Sequence, residues 1–509
     1  MPKLIKPYMD FRGGLNVDAA PDLVADNELV VADNVDLDER GAINKRKGTV
    51  PLNATSYAAQ VERLFEWTKN DGSVILMALV GNDLCRIAED GTKTVLKTLD
   101  APDIGWFVFQ DKFWFTGKEA GVDKFWIYDG TTVAEVTPNS ATDNNLTPIK
   151  RCRFFVWHPN SMRVFAAGDP QDRAALYYSE PNDPTYFKST NKLYPTTGDG
   201  PVYGLAIFSD AMLAFYRRSV WGWKGANPAV DATWRKVPVG KGTVQGQTIR
   251  ETPGSLTFLS PGGLTAITPA VLAEETVVLL PTENLVVDLS ENKVGSIVRN
   301  IQQACAVYDD RSKRYLLAYS DVQAARPDKV LVFDWELKAF TRYTGFVVND
   351  LLVRSNGDVL VATNGYILRL GQGYKDFDVT TGGYKAIAFQ VKTKQFSLDY
   401  PLHIKKLYRF LLAARQYQAE TSSVRIDVTC DYKTQSLNSV SLDASFVWGE
   451  EWGKTWGYTD LITKEGRLRF KGARVQVSFS NEGLDEPLTI YAVGFEFKPR
   501  RAKGEKMSG

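Results

Sequence analysis

The chain has 509 residues, too many for one ordinary core, with 44% hydrophobic and 12% aromatic residues. Sixty-one basic residues against 60 acidic ones leave a net charge of +1, which excludes a chain whose overall field gathers nucleic acid but leaves room for a local basic patch. Four cysteines, Cys85, Cys152, Cys305 and Cys430, stand far apart with no CxxC pair, which argues against a zinc site or a disulfide framework and for buried thiols in a reducing cytoplasm. The opening MPKLIKPYMDFRGGLNVD lacks the apolar stretch of a signal peptide, and no run of about 18 apolar residues occurs, so no membrane span is expected.

Residues 1–56 read as an arm. Phe11-Arg12-Gly13-Gly14-Leu15-Asn16 supplies a turn, Pro21–Ala32 has room for a short helix, and Asn34–Ile43 alternates into a hairpin around Gly41. From 57 to 370 short aromatic-rich strands alternate with Gly/Asp/Asn/Pro turns. Gly105–Phe109, Lys112–Thr116, Lys124–Tyr128 and Thr132–Val136 make one four-strand phrase, about the length of a propeller blade. Similar phrases run over Val61–Leu99, Arg151–Phe187, Tyr203–Val237, Gln247–Pro269, Ala304–Tyr343 and Phe346–Leu370. The expected fold is all-β: a β-propeller of about seven blades, with six to eight allowed, and two or three sandwiches as the alternative. Thr282–Asn300 is the best candidate for a helix, and Gly371–Gly383 reads as a linker.

Residues 384–498 change to longer alternating stretches, as in Val424–Thr429 and Leu488–Phe497, and predict a β-sandwich with one wet face. The tail 499–509 is basic and expected to be loose.

Chemistry is sparse. A nucleophilic triad would have to use His158 or His403, and neither has a nucleophile elbow nearby. There is no P-loop and no GxGxxG at a strand–helix junction. Asp309-Asp310-Arg311-Ser312 and Asp328-Lys329 lack the calcium-loop rhythm and read as turns. No catalytic, cofactor-binding or metal residue is assigned, no cofactor is expected, and the chain is read as a non-enzyme. Trp106, Phe113, Phe115 and Trp126 suit the wedge between blades. Trp448, Trp452 and Trp456, in a Gly-broken charged stretch, are candidates either for an interface with a partner chain or for covering the sandwich core.

The N-terminal motifs carry a resemblance. Gly13-Gly14-Leu15-Asn16, followed by a hairpin with Asn34, Val35, Asp38, Gly41, Arg46 and Gly48, resembles the opening of many phage virion proteins. Leu176–Pro184 and Leu259–Leu264 resemble further elements of such propellers. The chain is similar to tail hub or nozzle proteins of short-tailed phages. That resemblance implies a structural virion subunit made in the host bacterial cytoplasm. It implies a homo-oligomeric ring, six-fold favoured, below the portal and adaptor. It also implies contacts with adaptor, portal-side and distal tail proteins, and a conduit for genomic DNA during ejection. Phe11, Arg12 and Leu15 join the three tryptophans as candidate interface residues. The alternatives are a receptor- or glycan-binding propeller of the virion and a glycan-degrading enzyme.

Overall fold

The computed structural model describes residues 2–230, 233–268, 286–288, 293–294, 298–323, 326–417, 422–442 and 461–500. The described residues form strands, turns and short 3-10 segments, and the fold is a β-propeller joined to a β-sandwich.

Seven four-stranded antiparallel blades follow in chain order. Blade 2 shows why the chain folds this way locally. Its strands Gly105–Phe109, Lys112–Glu119 and Val122–Tyr128 pair in register, with Phe107 opposite Trp114 and Phe115 opposite Trp126. Gln110 and Asp111 turn between the first two with φ of 48° and 54°, the double positive φ of a tight hairpin whose twist matches its strands. The first strands of successive blades lie side by side around the axis: 105–109 beside 154–158, 154–158 beside 204–208, and 250–252 beside 305–309. The first strand of blade 7, Asp350–Val353, then meets the first strand of blade 1, Val61–Thr68, and the ring closes.

Apolar wedges fill the gaps between sheets. Phe65, Trp67, Phe113, Phe115 and Trp126 lie between blades 1 and 2, and Val61, Leu76, Leu360 and Ile367 between blades 7 and 1. Each such side chain contributes roughly 1.5–3 kcal/mol by burial, so the wedges hold the ring together without covalent help. The cysteines belong to this interior: all four are free and buried, and desolvation raises their thiols, to about 11 for Cys85 and Cys430.

Two blades borrow their last strand from a distance. In blade 5 it is Val286–Asp288, paired with Gly263–Ile267. Val286–Asp288 is thus strand, not helix, within the Thr282–Asn300 segment where a helix was expected; most other positions of that segment lie outside the described residues. In blade 7 the outer strand is Thr49–Pro51, from the N-terminal arm, antiparallel to Ile367–Leu370.

The rest of the arm is equally engaged. Pro21–Ala32 is no helix: Glu28–Asp33 is a strand, paired antiparallel with Phe389–Thr393 and touching blade 6 in parallel at Asp33–Arg342. The adjacent β-branched Val30 and Val31 favour sheet over helix. The hairpin expected near Asn34–Ile43 is present as Val35–Leu37 and Ile43–Lys45. Gly371–Gly383 is not a linker either, because Lys375–Asp378 and Gly383–Ala386 form a hairpin with Phe377 packed on Tyr366 of blade 7.

The sandwich has two sheets. One contains Leu4–Tyr8, the arm hairpin, Thr489–Arg500, Ile404–Arg415 and Leu461–Gly472. The other runs from Glu28–Asp33 through Phe389–Thr393, Val475–Asn481 and Ser423–Cys430 to Lys433–Ser441, and is continuous with blade 6. Tyr8 stacks on Phe396 at 3.8 Å, and Phe410 meets Phe479 at 6.3 Å across the layers. Sandwich and propeller therefore share one apolar core, which also contains Leu259, Leu317 and Phe340 of blades 5 and 6.

Gly48 marks the tightest approach in this junction: a Cβ there would lie 1.8 Å from the Lys375 carbonyl oxygen. Gly48→Ala is expected to push the 375–386 hairpin off blade 7 and to cost about 2–4 kcal/mol, the scale of severe steric substitutions. Urea unfolding of the two proteins checks this.

Candidate functional site

Residues of the N-terminal hairpin converge on one buried clamp. Arg46 is 1% exposed and forms a two-pronged pair with Asp376, Nη2–Oδ2 at 2.5 Å and Nη1–Oδ1 at 2.9 Å. Its Nε donates to Asn34 Oδ1 at 2.7 Å and Nη2 to the Thr344 carbonyl at 3.1 Å. Tyr343 and Phe346 lie 5.4 and 5.1 Å from the guanidinium, so its planar faces are covered as well. Asn34, at φ 59°, donates through Nδ2 to Thr344 Oγ1 and the Ala388 carbonyl, and its Oδ1 also accepts the Thr344 N–H. Asp38 accepts from the Arg40 and Ala42 N–H groups and shapes the hairpin turn.

Two flanking pairs extend the clamp. Arg342 holds Asp33 with both nitrogens at 2.6 and 2.8 Å, and Arg314 holds Asp36 at 2.6 Å. The Tyr343 hydroxyl also donates to Asp36. The Asp36 and Asp33 carboxylates keep the Arg314 and Arg342 guanidiniums well above the usual arginine range, so both stay charged at any working pH. Arm, blade 6, the 375–386 hairpin and the sandwich meet here.

The candidate interface residues divide three ways. Phe11 and Leu15, 0% and 1% exposed, are buried in the chain's own core, which corrects their assignment to a partner interface. Gly14 explains the close seating of that turn: it has φ 68°, and a Cβ would lie 2.6 Å from the Phe340 carbonyl oxygen. Arg12 is exposed and paired with Asp10 at 2.9 Å. Trp448, Trp452 and Trp456 lie outside the described residues.

His158 is fully buried between blades 3 and 4. Nδ1 lies 2.9 Å from Ser161 Oγ and Nε2 3.2 Å from the Asp210 carbonyl. A neutral ring with its proton on Nε2 satisfies both contacts, and burial lowers its pKa below the ordinary 6.5. His403 is half-buried, edge-on to Tyr400 at 5.8 Å.

Sequence reasoning did not single out the axis. Arg63, Arg250, Cys305 and Asp350 come from the first strands of blades 1, 5, 6 and 7, and interact electrostatically with one another. Asp350 is desolvated, which raises its carboxyl, and its two oxygens accept the Leu64 and Leu351 N–H groups at 3.0 and 2.9 Å. Among the described residues the charges that act on it are those of Arg63 and Arg250. An outward cleft of about 430 Å³ beside blade 3 is lined by Arg151, Asp169, Asp172, Tyr177, Lys188 and Lys192 among others. Its charges are matched, Arg151 with Asp169 at 2.7 Å and Lys192 with Asp172 at 2.5 Å, and both carboxyls are held below their ordinary range, the wrong direction for a general acid. Among the described residues no group of three or more His, Cys, Asp or Glu could hold a metal ion.

The fold defines the class: a seven-bladed β-propeller fused to a β-sandwich through its N-terminal arm. No protein-family model and no curated protein matches the chain. Solved structures similar to it include the extracellular domain of BT4673 from B. thetaiotaomicron, at 8% identity and TM-score 0.42, over 71% of this chain and 43% of that one. The Pan2 WD40 domain of Neurospora crassa matches at 10% identity and TM-score 0.41, over 64% of this chain and 96% of its own. A catalytically inactive virginiamycin B lyase from Staphylococcus aureus matches at 13% identity and TM-score 0.36, over 64% and 98%. The chain spans less than half of the first of these. The likenesses concern the fold alone.

Two outcomes are expected. Arg46→Met leaves Asp376 buried without its partner and should cost about 3–5 kcal/mol, while Arg46→Met with Asp376→Leu should recover part of that loss; denaturant unfolding of both variants reads it. For His158, the unfolded chain takes up a proton more readily than the folded one. Its contribution is therefore complete above the ordinary value of 6.5 and declines as pH falls below it. His158→Gln should flatten the fall in Tm between pH of about 7.5 and about 5.

Proposed function

We propose that the chain is a structural subunit of a bacteriophage tail, of the hub or nozzle type, set below the portal and adaptor and forming part of the DNA-ejection conduit. The observation that carries this reading is the use of the phage-like motif. Asn34, Asp38, Arg46 and Gly48 each hold a specific place in the junction that locks propeller to sandwich. The motif thus serves rigidity, which a ring subunit under the pressure of a passing genome requires. A propeller with few free edges is suited to that task.

The reading includes a homo-oligomeric ring, six-fold favoured, with adaptor or portal-side and distal tail proteins as neighbours, in the virion tail. Near-neutral net charge suits a conduit, since a wall of strong phosphate contacts would retain the DNA.

Electron microscopy of the purified chain, and of virions labelled on it, is the test. Closed rings with an open lumen at the tail are the expected result. Monomers that cleave a polysaccharide, or a pore wall dominated by Lys and Arg, would overturn the proposal.

A further inference from the structure

The outer face of the sandwich sheet built from Ile404–Arg415, Leu461–Gly472 and Thr489–Arg500 carries a concentration of cations that the fold does not explain. Ile404–Arg415 is the middle strand, flanked by the other two. Lys406 stands directly opposite Lys471 on one neighbour and Lys498 on the other. Strands lie about 4.8 Å apart, so three ammonium-bearing side chains share one row. Like charges placed directly opposite destabilise a sheet.

Further cations join the same face. Arg409 pairs across with Arg467 on one side and Glu496 on the other, Ile404 sits opposite Arg500, and Arg469 is exposed between Arg467 and Lys471. Two carboxylates on this face, Glu465 and Glu496, are already engaged: Glu496 by Lys3 at 2.9 Å and Arg409 at 3.1 Å, and Glu465 by Arg409 at 2.9 Å. The Tyr408 ring lies under Lys3 and Lys406, at 4.6 and 4.9 Å. Among the described residues Lys406, Arg467, Arg469, Lys471, Lys498 and Arg500 have no carboxylate partner.

This pattern contrasts with the junction between propeller and sandwich. At the propeller–sandwich junction the arginines are instead neutralised, most fully at Arg46–Asp376 and Arg342–Asp33. A repulsive row retained on an exposed sheet face calls for an anionic partner that supplies the missing charge.

The composition of the face selects among partners. Protein–protein interface cores are poor in Lys and rich in aromatic and apolar anchors, whereas here lysine and arginine occupy the centre and the exposed apolar side chains Ile5 and Ile404 stand at its border. Rows of Lys and Arg across neighbouring strands fit the repeated charges of a phosphodiester backbone, bound without reading sequence. We infer that this sheet face binds the backbone of nucleic acid. The inference stands apart from the tail reading: a chain that binds DNA but forms no ring keeps the one and loses the other.

The test is fluorescence anisotropy of the full-length chain with short labelled duplex and single-stranded DNA over a salt series. Wild type should bind, with log K falling linearly against log salt. Lys406→Gln/Lys471→Gln/Lys498→Gln should lose roughly tenfold or more in affinity, and its salt slope should shrink by about 2–3, because each phosphate contact contributes about 0.9. A control, Lys112→Gln/Lys236→Gln on the propeller, should bind like wild type. The triple variant should keep or raise its Tm, since it relieves repulsion. No binding by wild type at low salt, equal binding by the triple variant and control, or capture of phosphatidylserine vesicles in place of DNA would overturn the inference.

Discussion

A propeller is a ring, and a ring must be closed. Here the outer strand of the last blade comes from more than 300 residues upstream, as Thr49–Pro51 pairs with Ile367–Leu370. That pairing is short, and alone it would fray. The buried Arg46–Asp376 pair beside it, with Asn34 and Thr344 completing its hydrogen bonds, holds the strand in register. Removing two charges from water costs several kcal/mol per ion, so such a pair is favourable only when the remaining donors are satisfied. The Arg46 site meets that condition, because its nitrogens all find acceptors.

The same junction gives the molecule its unity. A propeller and a sandwich on one chain usually meet at a modest interface and move against each other. In this chain the sandwich sheet is hydrogen-bonded to blade 6 through Glu28–Asp33, and the two share an apolar core. The chain ends are woven together as well, with Leu4–Tyr8 paired along Thr489–Arg500. The propeller and sandwich are therefore joined by strand pairing between distant segments, with all four cysteines free. Charge is placed unevenly: the Arg46–Asp376 and Arg342–Asp33 pairs are matched at the junction, while one outer sheet face gathers cations.

Much of the propeller was legible from residue order. Alternation such as Gly105-Trp106-Phe107-Val108-Phe109 followed by Gln110-Asp111 encodes strand and turn within ten residues, because side chains alternate faces and tight turns demand particular φ. The seven phrases match the seven blades in order, although the fourth strands of blades 3, 5 and 7 lie outside them, and the wedge role of Phe113, Phe115 and Trp126 is seen in the core. The N-terminal hairpin was visible too. What failed were segments whose partners are remote. Pro21–Ala32 and Gly371–Gly383 carry weak local signals and become strand and hairpin only against the sandwich and blade 7. Phe11 and Leu15 looked like surface anchors because a glycine-rich turn does not show what covers it.

By itself, then, the order of residues determined the strand class, the blade rhythm and a blade number near seven. These follow from interactions between residues near one another in the chain. The tertiary structure alone decided which strand closes the ring, that the arm and the C-terminal segment build one sandwich, that Arg46 meets Asp376, and that Lys406, Lys471 and Lys498 stand in one row. Each of those joins residues tens to hundreds of positions apart, and pairing at that distance depends on global register and loop closure, which no local pattern records.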